Sequence, residues 1–166
     1  MSKKKKDSTK SFLDMLMTFM ITLLIFVSFR YFIRFPTVHG QSMEPTYHDG
    51  DVLAVVHTEN VDTNDIIILW SDDLNEYLIK RVIGVPGDTI VIKDGSVYRN
   101  GTKLYEAYIN SAHWMTDDET WTLGSNEYFV MGDNRDHSTD SREIGVVTSG
   151  KIFGRVLFSV ISHGSQ

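Results

Sequence analysis

Three short stretches concentrate the residues that could do chemistry. "HGQSMEPTYHDGD" (39–51) carries Ser42 among glycines and several potential bases. "EYLIKRVIGVPGD" (76–88) places Lys80 inside an apolar run, and "MGDNRDHSTDSREIG" (131–145) is unusually dense in Asp, Arg, Ser and Asn. A serine hydroxyl is a weak nucleophile until a base takes its proton. The usual base is a histidine oriented by a carboxylate. Six histidines are available (His39, His48, His57, His113, His137 and His163), but nothing in their spacing selects one, and no G-x-S-x-G elbow surrounds Ser42.

The other base that pairs with serine is lysine, which must be neutral to act. Its free pKa is about 10.4, and burial in an apolar setting lowers it toward about 7–8. A shift of about 3 units is worth about 4 kcal/mol between the protonation states. If 77–84 is a strand, Leu78, Lys80 and Val82 share one face and Ile79, Arg81 and Ile83 the other. Lys80 would then sit between two apolar neighbours that suppress its charge. The competing reading is a strand lysine that lays its stem on the surface and keeps its amine in water. The residues alone leave both open. For 131–145 a calcium loop is the first rival. Counted from Asp133, an EF-hand loop needs Gly at its sixth position and Glu at its twelfth. Those positions hold Ser138 and Ile144, so that reading fails. A self-satisfied cluster of Asp–Arg and Ser hydrogen bonds remains, able to orient a buried lysine.

The elements that must position these residues follow from the rest of the chain. Its 166 residues suit one domain with a short appendage, large enough to bury a core without disulfides. The absence of cysteine excludes a disulfide framework, a thiol nucleophile and a thiolate metal site. The net charge of −6 is asymmetric: residues 1–34 hold seven Lys/Arg against two Asp/Glu, the remainder nine against twenty. So acidic a body argues against a nucleic-acid partner. Phe12 to Ile33 is an apolar stretch of 22 residues, ~33 Å as a helix, which matches a hydrocarbon core of ~30 Å. Lys3–Lys6 and Lys10 precede it, and "RYFIRFPTVHG" offers no small-residue cleavage site. A cytoplasmic basic tail (1–11), a transmembrane anchor (12–33) and an extracytoplasmic domain (35–166) are therefore expected. That domain reads as mainly β, with strands at 51–57, 65–70, 77–84, 88–93, 96–100, 127–133 and 151–160. Asp94-Gly95 is a hairpin signal, the segment around "TDDET" (116–120) looks like an exposed loop, and Asn100-Gly101-Thr102 has the form of a glycosylation sequon.

"GQSMEPT", "YLIKRVIGVPGD" and "GDNRDHSTDSR", in this order and behind an anchor, together resemble the serine, lysine and Gly-Asp-Asn-Arg boxes of the bacterial type I signal peptidases. "GD" at 50–51 fits a further short element. Only 43 residues separate Asp88 from Gly132, similar to the compact, single-anchor members of Gram-positive bacteria. The resemblance implies a folded-over β-sheet or barrel and a serine endopeptidase that cuts after small residues. It implies Ser42 as nucleophile, Lys80 as general base, Ser138 as a hydrogen-bond partner of the lysine amine, and Asp140 with Arg142 as a structural ion pair. Arg135, Asp133 and Asn134 would be loop scaffolding. Where some members carry a serine that helps form the oxyanion hole, this chain has Gly40, so the hole would rest on backbone N–H groups, chiefly that of Ser42. Pockets near Val38, Met43, Leu78 and Ile79 would accept small side chains of an added substrate strand. No metal or cofactor is expected. The expected partners are signal peptides of secreted preproteins, the lipid bilayer and the secretion translocon. Two alternatives remain at this stage: a self-cleaving Ser/Lys peptidase, and a peptidase-derived membrane scaffold.

Overall fold

The computed structural model describes residues 2–109, 114 and 117–163, and it divides into two units, Met1–Arg34 and Phe35–Gln166. In the first, helix α1 (Ser2–Phe32) is followed by the two-residue strand β1 (Ile33–Arg34). The helix is rich in Leu, Met, Phe and Lys and has no proline to break it. From Phe12 to Val27 its large apolar side chains are exposed, and they surround the axis instead of forming one stripe. Thr18 and Thr22 donate their hydroxyls to the carbonyls of Asp14 and Thr18 one turn earlier. Among the described residues no helix is long and apolar enough to cross a membrane. The unbroken run of described side chains in α1 covers only 11–27, short of the Phe12–Ile33 span read from the sequence. Nothing is described of the side chains of Lys3–Lys6 and Lys10.

The second unit is built on two antiparallel sheets. The larger runs β2 (Val52–Val56), β11 (Ile152–Ile161), β3 (Ile66–Ser71), β4 (Glu76–Gly84), β9 (Glu127–Met131) and β10 (Val147–Thr148). Register shifts interrupt β11 twice against β2 and once against β3, and interrupt β4 once against β9. Such bulges bend strands and increase their twist, which curls the sheet into a half-barrel. The smaller sheet runs β7 (Thr102–Lys103), β6 (Ser96–Arg99), β5 (Thr89–Lys93) and β8 (Glu119–Thr122). The seven expected strands form within a residue or two of their expected bounds.

Two departures are informative. Asn100 and Gly101 have positive φ and make a second hairpin turn, between β6 and β7. The Asn100 side chain donates to Asp88 and accepts from the Thr89 amide, so the sequon is a turn whose amide is already engaged. The expected loop at "TDDET" is instead the start of β8 from Glu119 onward. Trp121 lies opposite Ile90 and packs on Phe129 with ring centroids 4.6 Å apart, which repays the strand its exposed polar positions. Thr116 lies outside the described residues.

Alternation along β4 sorts the core. Leu78 and Val82 join Ile67, Leu69 and Val130 on one face, whereas Ile79 packs with Val38, Leu53, Val55 and Ile68 on the other. A third cluster, centred on Ile90, Phe129 and Met131, joins the small sheet to the large one. Ile67 is fully buried and directly opposite Lys80. Replacement Ile67→Ala is therefore expected to lower the stability of the domain by about 2–5 kcal/mol, seen as a lower urea midpoint with unchanged slope.

Candidate active site

Ser42 lies in the turn that follows the extended segment 36–39, and Lys80 lies in the middle of β4. The turn is pinned at its base by backbone hydrogen bonds between Val38 and Asp51 and between Gly50 and Val38. It contains a cis Glu44–Pro45 peptide. The Lys80 amine donates to Ser42 Oγ at 2.8 Å, although 38 residues separate the two in sequence. Only 2 % of Lys80 is exposed. Burial is the main reason that its pKa falls from 10.5 to about 8. Nearby Asp140, Glu76 and Asp133 push the other way, and Arg142 assists the fall.

Loop 132–142 closes over this pair. The Asn134 amide donates to the Ser42 carbonyl at 3.0 Å, and its side chain donates to the Gln41 carbonyl at 3.1 Å. Asp140 is fully buried and accepts at one carboxylate oxygen from the Gly132 amide and from Ser138 Oγ, both at 2.9 Å. Arg142 donates to both oxygens of Asp140 at 2.8 Å, the expected ion pair in bidentate form. The hydrogen bond found for Ser138 thus goes to Asp140 and not to the lysine amine. An ionised carboxylate is the stronger acceptor for that hydroxyl. Gly132 sits so close that a Cβ there would lie 2.2 Å from Ser138 Oγ and 2.5 Å from the Ser42 carbonyl oxygen. Glycine is required at this contact for space alone.

Gly40 has φ +84°, a conformation that favours glycine, and its N–H donates to Asp49 at 2.9 Å. That donor is therefore committed. Among the described residues the Ser42 N–H has no partner within the protein. Of the four residues expected to line small pockets, Val38, Met43 and Leu78 are buried and Ile79 is partly so. Val38 and Ile79 share a cluster, but Leu78 belongs to the opposite face, because neighbours in a strand point to opposite sides. Among the described histidines none bonds Ser42: His39, His57, His137 and His163 are exposed, and the His57 ring donates to the Phe153 carbonyl at 2.6 Å. His113 lies outside the described residues.

Sequence reasoning passed over Arg81. It is buried on the face opposite Lys80 and forms a bidentate pair with Asp133, at 2.7 Å and 2.5 Å, which also accepts from Thr46 in the serine turn. The signal was present: "IKR" puts adjacent cations on opposite faces of one apolar strand, and an arginine buried there stays charged and needs a carboxylate.

The arrangement can present a serine oxygen to an electrophile while a lysine amine, neutral above pH of about 8, takes its proton. The pattern described as "Signal peptidase, peptidase S26" matches residues 12–161. The chain is similar to a signal peptidase I of Bacillus amyloliquefaciens, 35 % identical over 95 % of this chain and 92 % of the relative. It is similar also to signal peptidase IB of Staphylococcus aureus, 32 % identical over 82 % of each. A crystal structure of a signal peptidase I from Enterococcus faecalis superposes with a TM-score of 0.52 at 33 % identity, covering 60 % of this chain and 97 % of that one.

The lysine makes a prediction about stability. Its folded pKa of about 8 lies below the unfolded value of 10.5. The folded state therefore bears the full penalty of a buried ammonium below pH of about 8, and stability recovers as pH rises to 10.5. Replacement Lys80→Met should stabilise the fold by about 2–3 kcal/mol at neutral pH, with the gain shrinking across that window. Urea titrations of both proteins at pH of about 7 and 10.5 check it.

Proposed function

The chain belongs to the signal peptidase S26 family of serine hydrolases, and on that premise we propose that Ser42 is the nucleophile and Lys80 the general base of an enzyme that removes N-terminal signal peptides from secreted preproteins. The observation that carries this reading is the 2.8 Å contact between Ser42 Oγ and an amine sealed from water. A scaffold protein would gain nothing from keeping a lysine buried against its charge.

Neutral Lys80 takes the Ser42 proton as Oγ attacks the scissile carbonyl. The Ser42 N–H, free of any partner within the described residues, faces the developing oxyanion, an interaction worth about 3–4 kcal/mol in comparable sites. Protonated Lys80 then gives its proton to the departing amine, which leaves an ester on Ser42. Water attacks the ester with Lys80 again as base, and both residues return to their starting state. Asp140, held by Arg142 and joined to Ser138, fixes the loop that carries Asn134 onto the serine turn.

The substrate enters as an extended strand. Residues 77–80 pair with β3 along one edge, while the pairing of β4 with β9 begins only at Arg81. Among the described residues the other edge of 77–80 has no strand partner, and main-chain hydrogen bonds to it and to segment 37–42 would hold the chain. Val38 and Ile79 would floor a pocket for the substrate strand, and Met43 would limit its depth, whereas Leu78 faces the other side of the sheet. Small side chains of an A-x-A type site would fit, and bulk would be excluded. Residues 12–33 serve as a single-pass anchor with the basic tail in the cytoplasm and the peptidase unit outside. The self-satisfied threonines and exposed apolar surface of α1 suit it to lipid. Anchoring raises the effective concentration of signal peptides as they emerge from the translocon.

In detergent micelles with phospholipid, the native chain should cut a preprotein bearing an A-x-A site after the second Ala, read from product termini by mass spectrometry. Ser42→Ala and Lys80→Ala should remain folded and lose activity by about 1,000-fold or more. The native rate should rise with pH through about 8, as Lys80 gives up its proton. Retained cutting by Lys80→Ala, or a rate flat across that range, would refute the lysine base.

A further inference from the structure

The loop over the dyad is held by three buried or half-buried arginines, and each meets a side chain supplied from outside the three chemical boxes. Arg135 is 2 % exposed and donates to both oxygens of Glu106, at 2.5 Å and 3.1 Å, while its Nε donates to the Gly132 carbonyl at 3.1 Å. Arg81 lies over the Tyr108 ring, 3.9 Å from its centroid, and Tyr108 donates its hydroxyl to Glu106 at 3.0 Å. Trp114, 2 % exposed, has Arg135 and Arg142 at 5.3 Å and 5.2 Å from its ring centroid, within the reach of a cation–π contact.

We infer that Glu106, Tyr108 and Trp114 are positioning residues for catalysis, a clasp that sets the Ser42–Lys80 geometry through Arg135, Arg81 and Arg142. The inference rests on the Ser42–Lys80 reading of the site. The path is short. Glu106 fixes Arg135, which holds the Gly132 carbonyl; the amide of Gly132 holds Asp140, and Asn134 holds the Ser42 carbonyl. Tyr108 covers the guanidinium that binds Asp133, which in turn reaches Thr46 four residues past the nucleophile.

The clasp also controls water. A buried guanidinium deprived of its carboxylate seeks solvent or another acceptor. Arg135 without Glu106 would pull on loop 132–142, the same loop that seals Lys80. The charged groups around that amine are Asp140, Glu76, Arg142 and Asp133, and three of the four belong to or flank this loop. Loosening it admits water to the ammonium form and weakens the burial that keeps the amine neutral.

The test replaces Glu106→Gln, which keeps size and one acceptor oxygen. Two quantities are read on the full chain in micelles: the titration midpoint of Lys80, by competitive acetylation with acetic anhydride and mass spectrometry, and kcat and KM on the preprotein. The expected result is a midpoint raised by about half a pH unit or more. With it comes a kcat lowered at least about tenfold while KM changes less than about threefold. An unmoved midpoint overturns the inference, even if kcat falls, because lost stability removes active molecules without shifting a titration. Should Glu106→Gln fail to fold, Tyr108→Leu leaves the Arg135 pair intact and is judged on the same readings. A parent chain that does not cut, with the midpoint still raised in the variant, sustains the clasp and overturns the peptidase reading. A parent that cuts, with no shift in the variant, overturns the clasp alone.

Discussion

Exclusion of water from one ammonium group is the constraint on which the rest of the structure depends. A lysine in a strand interior would normally reach solvent through its flexible stem. Lys80 is prevented from doing so by Leu78 and Val82 on its own strand, by Ile67 opposite, and by the Asp140 loop above it. Each of these contacts disfavours the protonated amine or blocks its escape, so the site is a place where the fold gives up stability. The buried carboxylates cannot simply reverse that. Asp140 and Asp133 both attract the ammonium, yet each is already paired with an arginine, Arg142 and Arg81 respectively. Desolvation therefore wins over attraction, and the amine settles at about 8 instead of above 10.

The arginines answer a second problem. Ser42 and Lys80 come from segments with no covalent reason to meet, and an error of about 1 Å in their contact would be costly to any chemistry. Apolar packing could hold the segments together, but it tolerates sliding. Bidentate Arg–carboxylate pairs fix both distance and plane. Three such pairs, Arg81–Asp133, Arg135–Glu106 and Arg142–Asp140, converge on loop 132–142. Among the described residues no buried side-chain nitrogen or oxygen lacks a hydrogen-bond partner. A polar network of this kind is a poor source of net stability, because its desolvation offsets its attraction. Its value lies in allowing one arrangement of the loop.

Much of this was legible in the sequence, for reasons that differ by residue. The strands were readable as short apolar runs rich in Val and Ile and bounded by turn residues, and Lys80 stood out because a cation interrupts such a run in "YLIKRVIG". Ser42 needed the resemblance of its whole segment, since a lone serine among glycines has many explanations. Arg142 with Asp140 likewise came from the resemblance, since the residues of 131–145 alone offer several Asp–Arg pairings. Strands β7, β8 and β10 were not foreseen, because two are only two residues long and the third alternates Trp121 with exposed polar residues. The Leu78 side chain was grouped with Val38 on nearness to the site, whereas the pleat sends it to the other face.

Glu106, Tyr108 and Trp114 carried no signal at all, and the reason is physical. Arg135 and Glu106 are 29 residues apart, and nothing in "KLYEAY" marks a glutamate that will be buried. Its burial is dictated by where the small sheet carries the chain. Hairpin β6–β7 ends at Lys103, and Leu104 then bonds back to Val97, which turns the following residues under the loop. The small sheet takes no direct part in the dyad, yet it delivers the side chains that complete the arginine shell. A strand pair that looks like decoration on the half-barrel thus becomes part of the machinery that keeps water from a single amine.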